Sequence, residues 1–218
     1  MVSAHWEAAP LTIGSTTTET PLTYDFWGFP QRFYEVTYDA PGAPELARRV
    51  EALMPDGETV ARDPNRRLDH GAYVPLTVMY PDADIPVLQM SMPTLDPQRL
   101  LDLGARLRPL REEGVLIIGS GFTTHGLPYL TDPTPNAVAP GWSREFDEWA
   151  AERFAAGDVD ALLDFQATAP GMPYAHPTIE HFAPLFVALG ASANPEQIPA
   201  QVVDGFWMGL SKRSLQLV

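Results

Sequence analysis

Histidine is the side chain best suited to holding a first-row metal or moving a proton near neutral pH. This chain has five: His5, His70, His125, His176 and His181. No H-E-x-x-H run is present, so no local spacing marks a metal site. Their placement is more informative. His5 follows the apolar run "VSA", and His125 comes a few residues after "VLIIGSG". His181 lies beyond the loop "YAHPT", where a helical pattern starts. In open α/β sheets the carboxyl ends of strands line the ligand crevice. Two imidazoles just past strand ends and one at a helix start can therefore converge. Three neutral imidazoles can hold a divalent metal and leave coordination positions open for substrate. Cysteine is absent, so the donors would be nitrogen and oxygen. His176 and His181 are separated by Pro177 and do not share a helical face. The plain alternative is a set of unrelated surface and loop histidines, and spacing alone leaves both readings open.

Other catalytic arrangements are weaker. Gly119-Ser120-Gly121 lacks the G-x-S-x-G pattern of a nucleophile elbow and the G-x-G-x-x-G pattern of a dinucleotide loop. Its glycines suit a turn or close packing. The carboxylates of "DADI" (82–85) suit a solvated turn. The aromatic stretch 24–38, which includes Phe29, is either core packing or the wall of a pocket for a planar ring.

The elements that must position these residues alternate between strand and helix, which predicts an α/β fold. Residues 2–5 and 10–13 read as strands, as do 87–92 and 215–218. The run 114–121, apolar and bounded by glycines, reads as a fully buried strand. The stretch 20–42 reads as a loop, a short helical turn and a second loop. Helices are predicted over 43–54, from Asp96-Pro97 onward, from Ser143 to about Ala156, and from Asp158 through Phe165. A last helix is predicted from an N-cap at Thr178 to Gly190, with Pro184 able to bend it.

Composition bounds the function. The 218 residues suffice for one sizeable domain, and 45% apolar with 19% charged residues is ordinary globular composition. A net charge of −14 argues against nucleic acid and anionic membrane as partners, since both select Lys/Arg patches. No stretch reaches the ~20 apolar residues of a membrane span, and no signal-peptide pattern is present. A cytoplasmic protein is the default expectation.

Five stretches together resemble the DODA-type extradiol aromatic ring-opening dioxygenases of the class III superfamily. They are "VSAHW" (2–6), "DFWGFPQRFYEVTYDAPG" (25–42), "LDHGAYVPLTVMYPDADIPVLQMSM" (68–92), "LREEGVLIIGSGFTTHGL" (110–127) and "HPTIEHFAPLFVALGA" (176–191). They run in the family's order, and 128–175 is the weak region. The resemblance implies a single α/β domain over 1–218, with a central, mostly parallel or mixed sheet flanked by helices. It implies a non-haem Fe(II), with Zn(II) as an alternative metal. His5 in "SAHW" and His181 in "PTxEHF" would be metal ligands. His125 would be the acid/base residue or a further ligand, and His70 would line the pocket as a second acid/base candidate. Phe29 would lie at the substrate, and His176 would touch the substrate or support a metal ligand. The implied partners are a small aromatic diol and O2, with a homo-oligomer as an option. Family members carry an earlier strand ending in an "SHGSP"-like sequence whose His is also a ligand. The resemblance here begins in the strand after it. The expectation is a shortened chain with an exposed strand edge and one imidazole fewer. Two other readings stay open on the same histidines: a metal-binding but catalytically silent relative, and a zinc hydrolase.

Overall fold

The computed structural model describes residues 1–17 and 22–218. Thr20 and Pro21, at the start of the aromatic stretch, lie outside the described residues. The chain forms two compact units, Met1–Thr94 with Val115–Ser120, and Leu95–Gly114 with Gly121–Val218.

The first unit holds a five-stranded mixed sheet, so the α/β expectation is met. Its strands are β1 (Val2–Glu7), β2 (Thr12–Ile13), β3 (Ala61–Arg62), β4 (Met90–Met92) and β5 (Gly119–Ser120), in the order β3-β2-β4-β1-β5. β1 is parallel to both β4 and β5; β2 is antiparallel to β4 and parallel to β3. Val2, Ser3, Ala4 and Trp6 are all buried, as residues on both faces of an inner strand must be. β1 is paired on both sides at Val2–Ser3, and the outermost strand on its β5 side is β5 itself. This corrects the reading of 114–121 as a fully buried strand. Only Gly119–Ser120 enters the ladder, and Leu116 is 58% exposed.

α1 (Pro44–Leu53) forms where predicted, with Pro44 in its first turn and Ala47 and Val50 inward. α2 (His70–Met79) was not predicted. Its apolar residues have no helical period, and Pro75 sits inside it. What starts this helix is Asp69, whose carboxylate accepts from the Ala72 amide at 3.2 Å.

The second unit carries α3 (Pro97–Leu107), α4 (Gly141–Ala156), α5 (Val159–Leu163), α6 (Phe165–Thr168) and α7 (Pro184–Ala191). Two antiparallel ribbons accompany them. One pairs β6 (Ala200–Val203) with β9 (Ser214–Gln216), the other β7 (Phe206–Trp207) with β8 (Leu210–Ser211). Asp96 caps α3 and Asp158 caps α5, as predicted. Three boundaries differ from the sequence reading. α7 begins at Pro184 and not after Thr178, because a residue without an amide proton suits the first turn. Gly190 does not end α7; a side chain there would strike the Leu101 carbonyl, so this glycine lets α7 touch α3. Ser143 does not cap α4 but lies buried inside it, with Pro140 at the N-cap. Phe146, Phe165, Phe182 and Phe186 form the unit's aromatic core. Truncating any of them to Ala should cost about 3–5 kcal/mol.

Candidate functional site

In the first unit three residues from separate elements meet. His5 lies on β1, His70 opens α2, and Asp25 lies in the loop before the 3₁₀ turn Gln31–Tyr34. Asp25 Oδ1 is 2.6 Å from His70 Nδ1 and also accepts from the His70 amide at 3.3 Å. Asp25 Oδ2 faces His5 Nδ1 at 3.4 Å. The two imidazoles pack at 3.9 Å between centroids, tilted by 50°. Burial raises the Asp25 pKa, but the His70 hydrogen bond and the charges of His70 and His5 outweigh it, leaving it below the usual value. An ionised carboxylate only accepts, so His70 carries its proton on Nδ1.

A buried polar network positions this group. Asp69, fully buried, caps α2 and accepts from Arg66 at 2.8 Å and Gln89 at 2.5 Å. Arg66 also donates to the His5 carbonyl at 3.0 Å and lies over the Trp6 ring. One ion pair therefore ties β1, at His5, to the start of the helix that carries His70. Beside His70, Phe26 presents its edge at 5.5 Å, and Phe29 packs on Phe26 at 5.4 Å. The aromatic stretch serves two purposes. Tyr38 is core, while Trp27 and Phe29 are 86% and 56% exposed.

In the second unit His125 and His181 stack face to face, 3.3 Å between centroids and 13° from parallel. Glu180 Oε1 lies 2.9 Å from His181 Nδ1. That bond is the main reason the Glu180 pKa falls to about 2, against a burial penalty. His181 therefore also holds its proton on Nδ1. The local fold explains the stacking. Gly121 passes so close to the His181 carbonyl that no side chain would fit, and the Phe122 amide donates to that carbonyl at 2.9 Å. The His125 amide then donates to Ala175 at 2.8 Å.

The loop 121–125 is held from two further directions. His176 is 1% exposed and donates from Nε2 to the Thr123 carbonyl at 2.8 Å. It packs among Phe146, Phe165 and Phe182, and burial lowers its pKa to about 4. Expected either at the substrate or in support of a metal ligand, His176 sits in the interior of its unit, as a brace on the His125 loop. Thr124 Oγ1 pairs with Ser143 Oγ at 2.9 Å and accepts from the Ser211 amide at 2.8 Å. Asp147 anchors that ribbon through Ser211 and two bonds from Arg213, at 2.9 and 2.7 Å.

Each group could hold a metal ion by donor type. The ligand atoms of His5, Asp25 and His70 lie within 4.8 Å of one another, as do those of His125, Glu180 and His181. Sequence reasoning found all four histidines but missed both carboxylates. Glu180 was legible as the neighbour of His181; nothing local marked Asp25.

The profile described as the catalytic LigB subunit of aromatic ring-opening dioxygenase matches residues 1–204. The chain belongs to the LigB family. Similar proteins include the "4,5-DOPA dioxygenase extradiol" of Beta vulgaris, 42% identical over 96% of this chain and 77% of its own length. The Escherichia coli K12 protein of the same name is 37% identical over 100% of this chain and 80% of its own length. The crystal structure of an uncharacterized protein from Escherichia coli K12 superposes with a TM-score of 0.80 at 29% identity, covering 100% of this chain and 84% of that one. As a LigB-family member the chain is an extradiol ring-cleaving dioxygenase, of a metal-dependent family that acts on aromatic compounds with O2. Among the described residues, no helix is long and apolar enough to cross a membrane.

Proposed function

We propose that this LigB-family chain opens the ring of a catechol-type substrate beside its diol, with Fe(II) as the working metal and Zn(II) as an ion the same donors accept. The observation that carries this reading is two groups, each of two histidines with a carboxylate, in a chain that matches the family almost throughout. Imidazole and carboxylate donors without thiolate suit a divalent first-row metal. Proposed as metal ligands are His5 in the first group, and His125 and His181 in the second. When bound, Fe(II) supplies the redox chemistry by which O2 reacts with the diol ring.

The protein's own part is proton handling and shape. Asp25 keeps the His70 proton on Nδ1, so Nε2 can take a proton from a substrate hydroxyl. His125 is the second candidate for this role if it is not a ligand. His181 is held with Nδ1 protonated by Glu180, which leaves Nε2 as the donor atom for a metal. Phe26 and Phe29, packed in sequence beside His70, offer an aromatic wall for a planar substrate. His176 acts on the substrate only through the loop it braces. A cytoplasmic location fits the same reading.

The test is oxygen uptake with a panel of catechols after anaerobic Fe(II) loading. Uptake with a yellow ring-opened product is the expected result. Metal retention without uptake would establish the silent relative instead. Oxygen-independent ester or amide cleavage would establish the zinc hydrolase.

A further inference from the structure

We propose that Asp25 is a positioning residue that sets the ring orientation and proton position of two histidines at once, His5 and His70. This rests on the reading of His5 as a metal ligand and His70 as a proton acceptor. The geometry is specific. Both rings turn Nδ1 toward a single carboxylate, one to each oxygen, at 3.4 Å for His5 and 2.6 Å for His70. In a five-membered ring the two nitrogens point in widely different directions. Aiming both Nδ1 atoms at Asp25 therefore aims both Nε2 atoms away from it. An anion facing Nδ1, through a hydrogen bond at His70 and through charge at His5, favours the proton there and makes Nε2 the basic nitrogen. Imidazoles that bind metals commonly have such a carboxylate behind one ring. Here one carboxylate stands behind two, so the proposed ligand and the proposed base are oriented by the same group.

Asp25 is itself fixed in place. Thr23, two residues earlier, bridges to the segment that leads into α2. Its amide donates to Leu68 at 2.9 Å, its hydroxyl donates to the Arg67 carbonyl at 3.1 Å, and the Arg67 amide donates back to that hydroxyl at 3.2 Å. Tyr24 donates to the Val36 carbonyl at 2.5 Å, closing the loop on its other side. Asp25 is partly buried, with 18% of its side chain exposed; Oδ1 takes both His70 hydrogen bonds, while Oδ2 accepts none and meets His5 Nδ1 through charge at 3.4 Å. Its loop, β1 and α2 thus meet at one side chain.

Asp25→Asn tests this, because an amide keeps the shape but can accept on only one of its two atoms. Nitrogen-15 NMR of the metal-free protein should show both His5 and His70 protonated on Nδ1. In Asp25→Asn at least one should move to Nε2–H or a mixture. His176, held as Nε2–H by Thr123, should not change. Affinity for Co(II) or Zn(II), measured by chelator competition, should fall about 10–100-fold, with an unchanged circular dichroism spectrum. Unaltered proton positions in both rings, with metal affinity within twofold, would overturn the proposal. His5→Ala separates the two readings. If it binds metal as tightly as the parent chain, His5 is no ligand and the metal reading fails there. The NMR comparison still decides whether Asp25 orients the rings.

Discussion

His5 and His70 share a carboxylate that the fold brings in from a separate loop, whereas His181 takes its carboxylate from the preceding residue. The supports differ as well. The first group rests on a buried ion pair, Asp69 with Arg66, that ties a strand to a helix start. The second rests on a loop pressed against backbone, with Gly121 and Phe122 against His181 and His176 against Thr123. An imidazole can thus be oriented through tertiary structure or through sequence adjacency, and the two routes should fail differently. Losing a tertiary carboxylate affects every ring it faces. Losing an adjacent one affects a single ring.

The largest expected effect tests whether the second group holds metal at all. His181→Ala should lower metal affinity more than 100-fold, beyond the loss from a supporting residue alone. Far-ultraviolet circular dichroism should be unchanged, because α7 starts later, at Pro184. Unaltered metal content on elemental analysis would remove His181 from the site.

The next effect concerns acid. His176 is neutral in the fold with a pKa of about 4, against an ordinary value of 6.5. Between those values the unfolded chain binds the extra proton, so stability falls as the pH drops from 6.5 toward 4. The loss should be on the order of 3 kcal/mol. The His176 contribution is fully retained above about pH 6.5. His176→Gln keeps a donor for Thr123 without the titration, and its melting temperature should fall less over the same range. Identical pH profiles for the two proteins would place the acid sensitivity elsewhere.

The smallest effect sharpens the comparison most. Glu180→Gln should lower metal affinity about tenfold, because Glu180 backs one ring. Asp25→Asn should exceed it under the same chelator competition. Equal losses would mean that sharing a carboxylate between two rings has no added consequence.

Much of this was legible in the sequence, and the exceptions have physical reasons. The periodic helix α1 and the Asp-capped starts of α3 and α5 were readable because caps and spacing are local. α2 was not, since it is apolar all round and contains Pro75. The run 114–121 looked buried because composition records hydrophobicity and not position, and β5 is an outer strand. The Thr178 cap failed because Pro184 sets the start of α7. Four histidines were identified as chemistry, but the pairing of His5 with His70 was not, since Asp25 reaches His70 across 45 residues of chain. His176 looked like a substrate residue because it precedes His181 in sequence; the aromatic core around it is assembled from α4, α6 and the turn before α7.

The tie between Thr124 and the β8 ribbon bears on biosynthesis. The Ser211 amide and the Arg213 carbonyl reach the Thr123-Thr124 pair across 87 and 90 residues. Such distant closures are slow steps. While the ribosome is still short of residue 213, the segment bearing His125 lacks its last fastenings. One half of the proposed chemistry therefore becomes rigid only after residue 213 has been made, whereas Asp25, His5 and His70 have all left the tunnel long before.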